Sequence, residues 1–197
     1  MRMRDLTEML GLEKRIPVMY DSRLALKAII QCQFCTPAEQ RLSKDYDEDV
    51  FPSEEGVHIQ NVSIEEFNEI MRNGNPPDFR KIRGMINDNI NYPISMFDVI
   101  YAVFCLYHEE GHWIDFKSSG QSGSDFMRKD APFRKPVYEL GERIKKEEDP
   151  NLKLKLGNEW TLLYRNIPME KYADIYALNK LSEIDWKEFE KMCSKIN

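Results

Sequence analysis

The chain has 197 residues, 42% of them hydrophobic and 31% charged, which is enough apolar material for one core of ordinary domain size. Nine glycines and ten prolines are too few for a collagen-like or low-complexity chain, and a formal charge of −6 argues against a broadly basic nucleic-acid surface. Four cysteines, Cys32, Cys35, Cys105 and Cys193, do not make the dense framework of a small secreted protein.

Asp5 and Glu8 fall where a signal peptide needs an apolar run. The longest apolar stretch, Met96 to Tyr107, contains Asp98 and is too short to span a bilayer. A soluble, cytoplasmic protein is therefore expected. Leu24, Leu26, Ile29, Ile30 and Phe34 follow helical spacing well enough to predict a helix over 22–34. Residues 41–56 are acidic and carry Pro52 and Gly56, so they read as an exposed loop. Val57 to Val62 alternates apolar and polar residues and predicts a half-buried strand. Ser63-Ile-Glu-Glu66 is a capping box that opens a helix ending at Gly74.

Residues 80–94 are expected to supply one or two short strands. Ser95-Met-Phe-Asp98 is a second capping-box pattern, and the helix it opens runs to about Phe116. Only Asp98 is not hydrophobic between Met96 and Tyr107, so this helix is expected to be covered on most sides and central to the fold. Residues 117–136, rich in Ser, Gly, Lys and Arg, read as a mobile loop that follows that helix and is a candidate substrate lid. Helical patterns resume over 137–148 and 152–165. Pro168 suits the first turn of a helix over 168–181. A last amphipathic helix is predicted over 183–195, with Ile184, Trp186, Phe189 and Met192 as its stripe.

His108-Glu109-Glu110-Gly111-His112 is an H-E-x-x-H motif. On a helix its two histidines project from one face, one turn apart, and that spacing lets two imidazoles hold one Zn²⁺. Glu109 then reaches a metal-bound water from the side; the metal brings the water's pKa toward about 7, and a carboxylate takes its proton. Gly111 costs the helix about 1 kcal/mol against Ala, which suggests a neighbour that needs the space.

A catalytic zinc usually needs a third protein ligand. No His follows His112, so a carboxylate is expected. Glu170 is the leading candidate, on one face of the 168–181 helix with Asp174, beside Ala173 and Ala177. With Glu170 as ligand, Asp174 accepts a hydrogen bond from the free N–H of a ligating histidine. Asp115 and Asp174 are the alternative third ligands.

HEEGH followed by Glu170-Lys-Tyr-Ala173-Asp174-Ile-Tyr176-Ala177 resembles the gluzincin metallopeptidases, and within them is similar to the ImmA/IrrE-like peptidases of mobile elements and stress regulators. The run His108-x-x-x-His112-x-x-Asp115 also resembles the lethal-factor-like zinc peptidases. The resemblance covers about 95–117 and 165–181. It implies His108, His112 and Glu170 as ligands of one zinc ion and Glu109 as general base. It also implies a protein or peptide substrate, with a regulatory protein such as a repressor as one candidate. Glu110 departs from the apolar residue common at that position, and Glu170 comes 58 positions after His112, a longer spacing than is usual for that family.

The oxyanion donor is open among His58, Tyr138, Tyr164 and Tyr172. Cys32-Gln-Phe-Cys35 is a weak redox or metal signal, since Cys105 and Cys193 have no matching spacing. The fold expected is α+β, mainly helical, with a small sheet beside the HExxH helix. It forms one domain over 1–197, with 1–55 either part of it or an extension. The function expected is zinc-dependent hydrolysis of a peptide bond, with no nucleic-acid or membrane partner. The alternative is a non-catalytic protein-interaction module of a phage or mobile element.

Overall fold

The computed structural model describes residues 1–20, 29–42 and 53–196. The fold is α+β and mainly helical, with a small sheet among the described residues. The N-terminal part supplies α1 (Met3–Met9), β1 (Val18–Tyr20), β2 (Ile30–Gln33), α2 (Pro37–Leu42) and β3 (Gly56–Ile59). The sheet has the order β1-β3-β2, with β3 parallel to β1 and antiparallel to β2.

Two expectations for this part are corrected and a third is trimmed at its ends. Residues 30–33 of the expected 22–34 helix form strand β2, paired through Ile30↔Ile59 and Cys32↔Val57, while 21–28 lie outside the described residues. Ile29 and Ile30 suit either period, and pairing to β3 decides between them. The expected 41–56 loop is entered by the end of α2 and left by the first residue of β3; 43–52 lie outside the described residues. β3 is buried along its whole length rather than half-buried, because strands flank it and a helix covers it.

Helix α3 (Ile64–Gly74) begins where the Ser63 hydroxyl accepts from Glu66 N–H, as expected from its sequence. The strands expected over 80–94 are instead mostly helix α4 (Pro76–Asn89). Asn75 caps it through Asp78 N–H, prolines fill its first turn, and Phe79, Ile82 and Ile86 bury one face. Helix α5 (Phe97–Ser119) starts after a short 3₁₀ turn, Ile94–Met96, so the expected Ser95 cap is not formed. It ends at Gly120, whose φ of 64° is left-handed.

The 117–136 loop is also overturned. After α5, the chain forms α6 (Gly123–Lys129), capped by Ser122, and then α7 (Ala131–Lys146). Phe126 anchors α6 in the core, with its ring centroid 5.0 Å from Phe34 and 5.3 Å from Phe116. A Cβ at Gly123 would stand 2.2 Å from the Phe34 carbonyl oxygen, so only glycine allows this approach. The remaining helices are α8 (Pro150–Arg165), α9 (Pro168–Ser182) and α10 (Trp186–Cys193). In α10 the apolar stripe is Trp186, Phe189 and Cys193; Met192 faces outward.

Helix α5 is the spine. Ile100 to Leu106 are all buried, against β2 and β3 on one side and α9 on another. Ala173 and Ala177 are fully buried at the α5–α9 contact. A Cβ on Gly111 would sit 3.0 Å from Ala173 Cα and 3.1 Å from Tyr176 Cβ, so the missing side chain lets the two helices meet. The buried apolar residues of both halves form one cluster, to which Met3, Leu6 and Leu12 contribute from the N-terminus. Among the described residues no helix is long and apolar enough to cross a membrane.

Candidate metal centre

The close α5–α9 contact places His108, His112 and Glu170 in one buried group. The two Nε2 atoms stand 3.0 Å apart, and Glu170 Oε2 lies 3.3 Å from His108 Nε2 and 3.4 Å from His112 Nε2. Ligands about 2.0–2.1 Å from a tetrahedral zinc are separated from one another by about 3.3–3.4 Å. The triangle of donors is therefore close to the size that such an ion requires. Among the described residues Glu170 Oε2 is buried without a hydrogen bond, an arrangement that costs free energy unless a cation or proton sits among these atoms. The donor set, two imidazoles and one carboxylate, is the chemistry that zinc takes with a fourth position left open.

Of the three carboxylates considered as third ligand, the fold brings only Glu170 to this point. Asp115 turns to α6 and pairs with Lys129 Nζ at 3.0 Å. Asp174 lies on the far side of His108, with Oδ1 2.9 Å from Nδ1. His108 therefore turns Nδ1 to Asp174 and Nε2 to Glu170. Asp174 is itself held by Arg165, whose Nη1 is 2.8 Å from Oδ1. The same guanidinium grips both oxygens of Asp78 at 2.7 and 2.5 Å. A buried line thus runs from the donor triangle through His108, Asp174 and Arg165 to Asp78. Arg165 and Asp78 were not legible as site residues, since they are 87 positions apart and share no local pattern.

The electrostatics follow the same line. Burial opposes a charge on His108, but Asp174 and Glu170 outweigh it and carry its pKa up to about 10. Burial also opposes ionisation of Glu170, and the two imidazoles override it, holding the carboxyl well below the usual range. His112 packs its ring edge-on to Phe34, 6.1 Å between centroids, and its buried Nδ1 has no partner among the described residues.

Comparison with family models, with curated proteins and with solved structures gave no match.

Glu109 is the residue of the motif that turns outward. With His108 it lines a cleft of about 540 Å³ that also includes Gly74, Asn75, Trp160 and Tyr164. Burial, together with the nearby Glu170 and Glu109 carboxylates, pushes the Tyr164 phenol well above its ordinary pKa, so it is a neutral donor. Of the other oxyanion candidates, Tyr138 and Tyr172 are exposed on α7 and α9. His58 is buried in β3, with Nε2 2.8 Å from the Glu54 carbonyl oxygen.

Glu110 faces away from the cleft and is fully buried. Its carboxylate is held by Arg15, at 2.6 Å to Nε and 3.1 Å to Nη2. That pairing explains a charged residue at a position the resemblance leads one to expect as apolar. Cys32, on β2, is a free thiol whose pKa is raised by burial and by the charge of Glu109. Among the described residues the cysteines form no metal-ligating group.

Proposed function

We propose that this protein is a zinc-dependent metallopeptidase that hydrolyses a peptide bond in a protein substrate. The observation that carries the reading is the convergence of His108 Nε2, His112 Nε2 and Glu170 Oε2 at zinc-ligand separations, with Glu109 next to them on an open cleft. Zinc bound there would supply an acidified water and polarise the substrate carbonyl.

The protein's own residues supply the rest. Glu109 takes the proton of the attacking water and returns it to the leaving nitrogen. Tyr164, neutral and on the cleft wall, donates to the oxygen on which charge develops. Asp174 and Arg165 keep His108 in one tautomer and orientation. A cytoplasmic location is part of the same proposal.

The test is zinc content by elemental mass spectrometry together with cleavage of an unfolded protein such as casein. The wild type is expected to hold about one zinc and to cut. Glu109→Gln is expected to keep the zinc and lose cleavage, and Glu170→Ala to lose the zinc. Absence of zinc in the wild type after supplementation at neutral pH overturns the reading.

A further inference from the structure

A second concavity, of about 640 Å³, lies between α7, α8 and the α3–α4 junction. Ligand sites commonly span about 300–1,000 Å³. It is not separate from the catalytic cleft, because Gly74, Asn75, Trp160 and Tyr164 line both. Trp160 and Tyr164 stack at 5.0 Å with 7° between planes, so they form a flat shared wall. A chain lying in the cleft against that wall has the second groove directly beside it.

The groove is apolar and open. Tyr138 and Leu154 line it with 66% and 50% of their surfaces exposed, more than a soluble surface needs to show at one place. Its charges are unbalanced. Lys145 is paired with Glu142 at 2.6 Å, but Lys153 and Arg134 pair with no carboxylate among the described residues. Among the described residues Arg134 Nε is buried without a hydrogen-bond partner, and its Nη2 meets the sulfur atoms of Met169 and Met127. A guanidinium in an apolar wall with no anion of its own is a place for a carboxylate brought by something else.

The geometry points to a recognition subsite in this groove that selects the substrate: a peptide segment carrying a bulky apolar side chain next to acidic residues. The inference rests on the peptidase reading for the direction of the chain, and its occupant is the polypeptide lying in the cleft. The apolar side chain packs between Tyr138, Leu154 and Trp160, and the neighbouring carboxylates meet Arg134 and Lys153.

Binding tests it without cleavage. Zinc-loaded Glu109→Gln protein is titrated with three fluorescein-labelled ten-residue Gly/Ser peptides, carrying Phe-Glu-Glu, Phe-Lys-Lys or Ser-Glu-Glu at the centre. The Phe-Glu-Glu peptide is expected to bind at least about tenfold more tightly than either of the others: against Ser-Glu-Glu that is the scale of burying one Phe side chain, and against Phe-Lys-Lys it is the exchange of carboxylates that pair with the groove's cations for ammonium groups that repel them. A further Lys153→Glu change is expected to abolish that advantage over Phe-Lys-Lys. Leu154→Asp is expected to weaken Phe-Glu-Glu while zinc content and far-ultraviolet dichroism stay unchanged. Equal binding of the three peptides, or no binding, overturns the inference. So does a dimer in sedimentation that Leu154→Asp dissociates, which assigns the groove to a second copy of the chain. If the preference is found but the wild type cuts no peptide, the subsite stands and the peptidase reading falls. If the wild type cuts peptides with no such preference, the reverse holds.

Discussion

Gly111→Ala isolates how closely two helices must meet for the ligands to converge. The new methyl would stand 3.0 Å from Ala173 Cα, 3.1 Å from Tyr176 Cβ and 3.2 Å from Tyr176 Cδ1. Relaxed carbon contacts are about 3.5–4.0 Å, so α9 must retreat by about 0.5–1 Å. Ala gains about 0.8–1.0 kcal/mol over Gly in a helix interior. Overpacking of this kind costs about 1–3 kcal/mol. The metal-free protein should therefore lose only about 0–2 kcal/mol. The donor triangle suffers more. Glu170 rides on α9 and the histidines on α5, and a ligand set tolerates only about 0.2 Å of error. Zinc affinity should fall about 10–100-fold, the scale seen when ligand positioning is disturbed. Competition with a chromophoric chelator measures the affinity, and thermal unfolding of the metal-free protein measures the stability. A variant that melts higher than the wild type and keeps its zinc affinity would refute the close-approach argument.

Asp174→Asn leaves His108 in place but removes its anionic partner and one anion from Arg165; zinc affinity should drop about 10–100-fold in the same chelator assay. Gly123→Ala puts a methyl 2.2 Å from a backbone oxygen, so α6 must part from Phe34; the melting temperature should fall by more than for Gly111→Ala. In the metal-free protein the His108 pKa stands raised from 6.5 to about 10. A raised folded-state value stabilises fully below 6.5, and that contribution is lost as pH climbs through about 10. Thermal unfolding of chelator-treated protein should show this decline across the window. Zinc-loaded protein, which needs the imidazole neutral, should not show it, and a flat profile in both counts against the charged pairing.

The donor triangle was legible because its chemistry is local in sequence. His108 and His112 share one helical turn, and Pro168 announces the helix that carries Glu170 two residues later. Gly111, Ala173 and Ala177 signalled a close helix contact by their size alone. What supports that triangle was hidden. Arg15 and Glu110 are 95 positions apart, and Arg165 and Asp78 are 87 apart, so no periodicity links them.

Composition misled where it outweighed spacing. Gly84 and the polar residues after it disguised α4, although Phe79, Ile82 and Ile86 keep helical intervals. Ser and Gly around 119–124 suggested a loop, yet they are a helix stop, a cap and a close approach. β2 is four residues long, too short for its alternation to stand out from a helix.

Four consecutive residues of α5 divide among α9, the cleft and the N-terminal segment. His108 goes to Glu170 and Asp174, Glu109 to the cleft, Glu110 to Arg15, and Gly111 to Ala173 and Tyr176. One turn of helix is thereby fastened to segments drawn from near both ends of the chain. Such a turn has no private way to open, because breathing there must release the N-terminal segment and α9 together. Amide hydrogen exchange over 108–112 is then governed by unfolding of the whole molecule, while the exposed α7–α8 surface exchanges through smaller, cheaper openings.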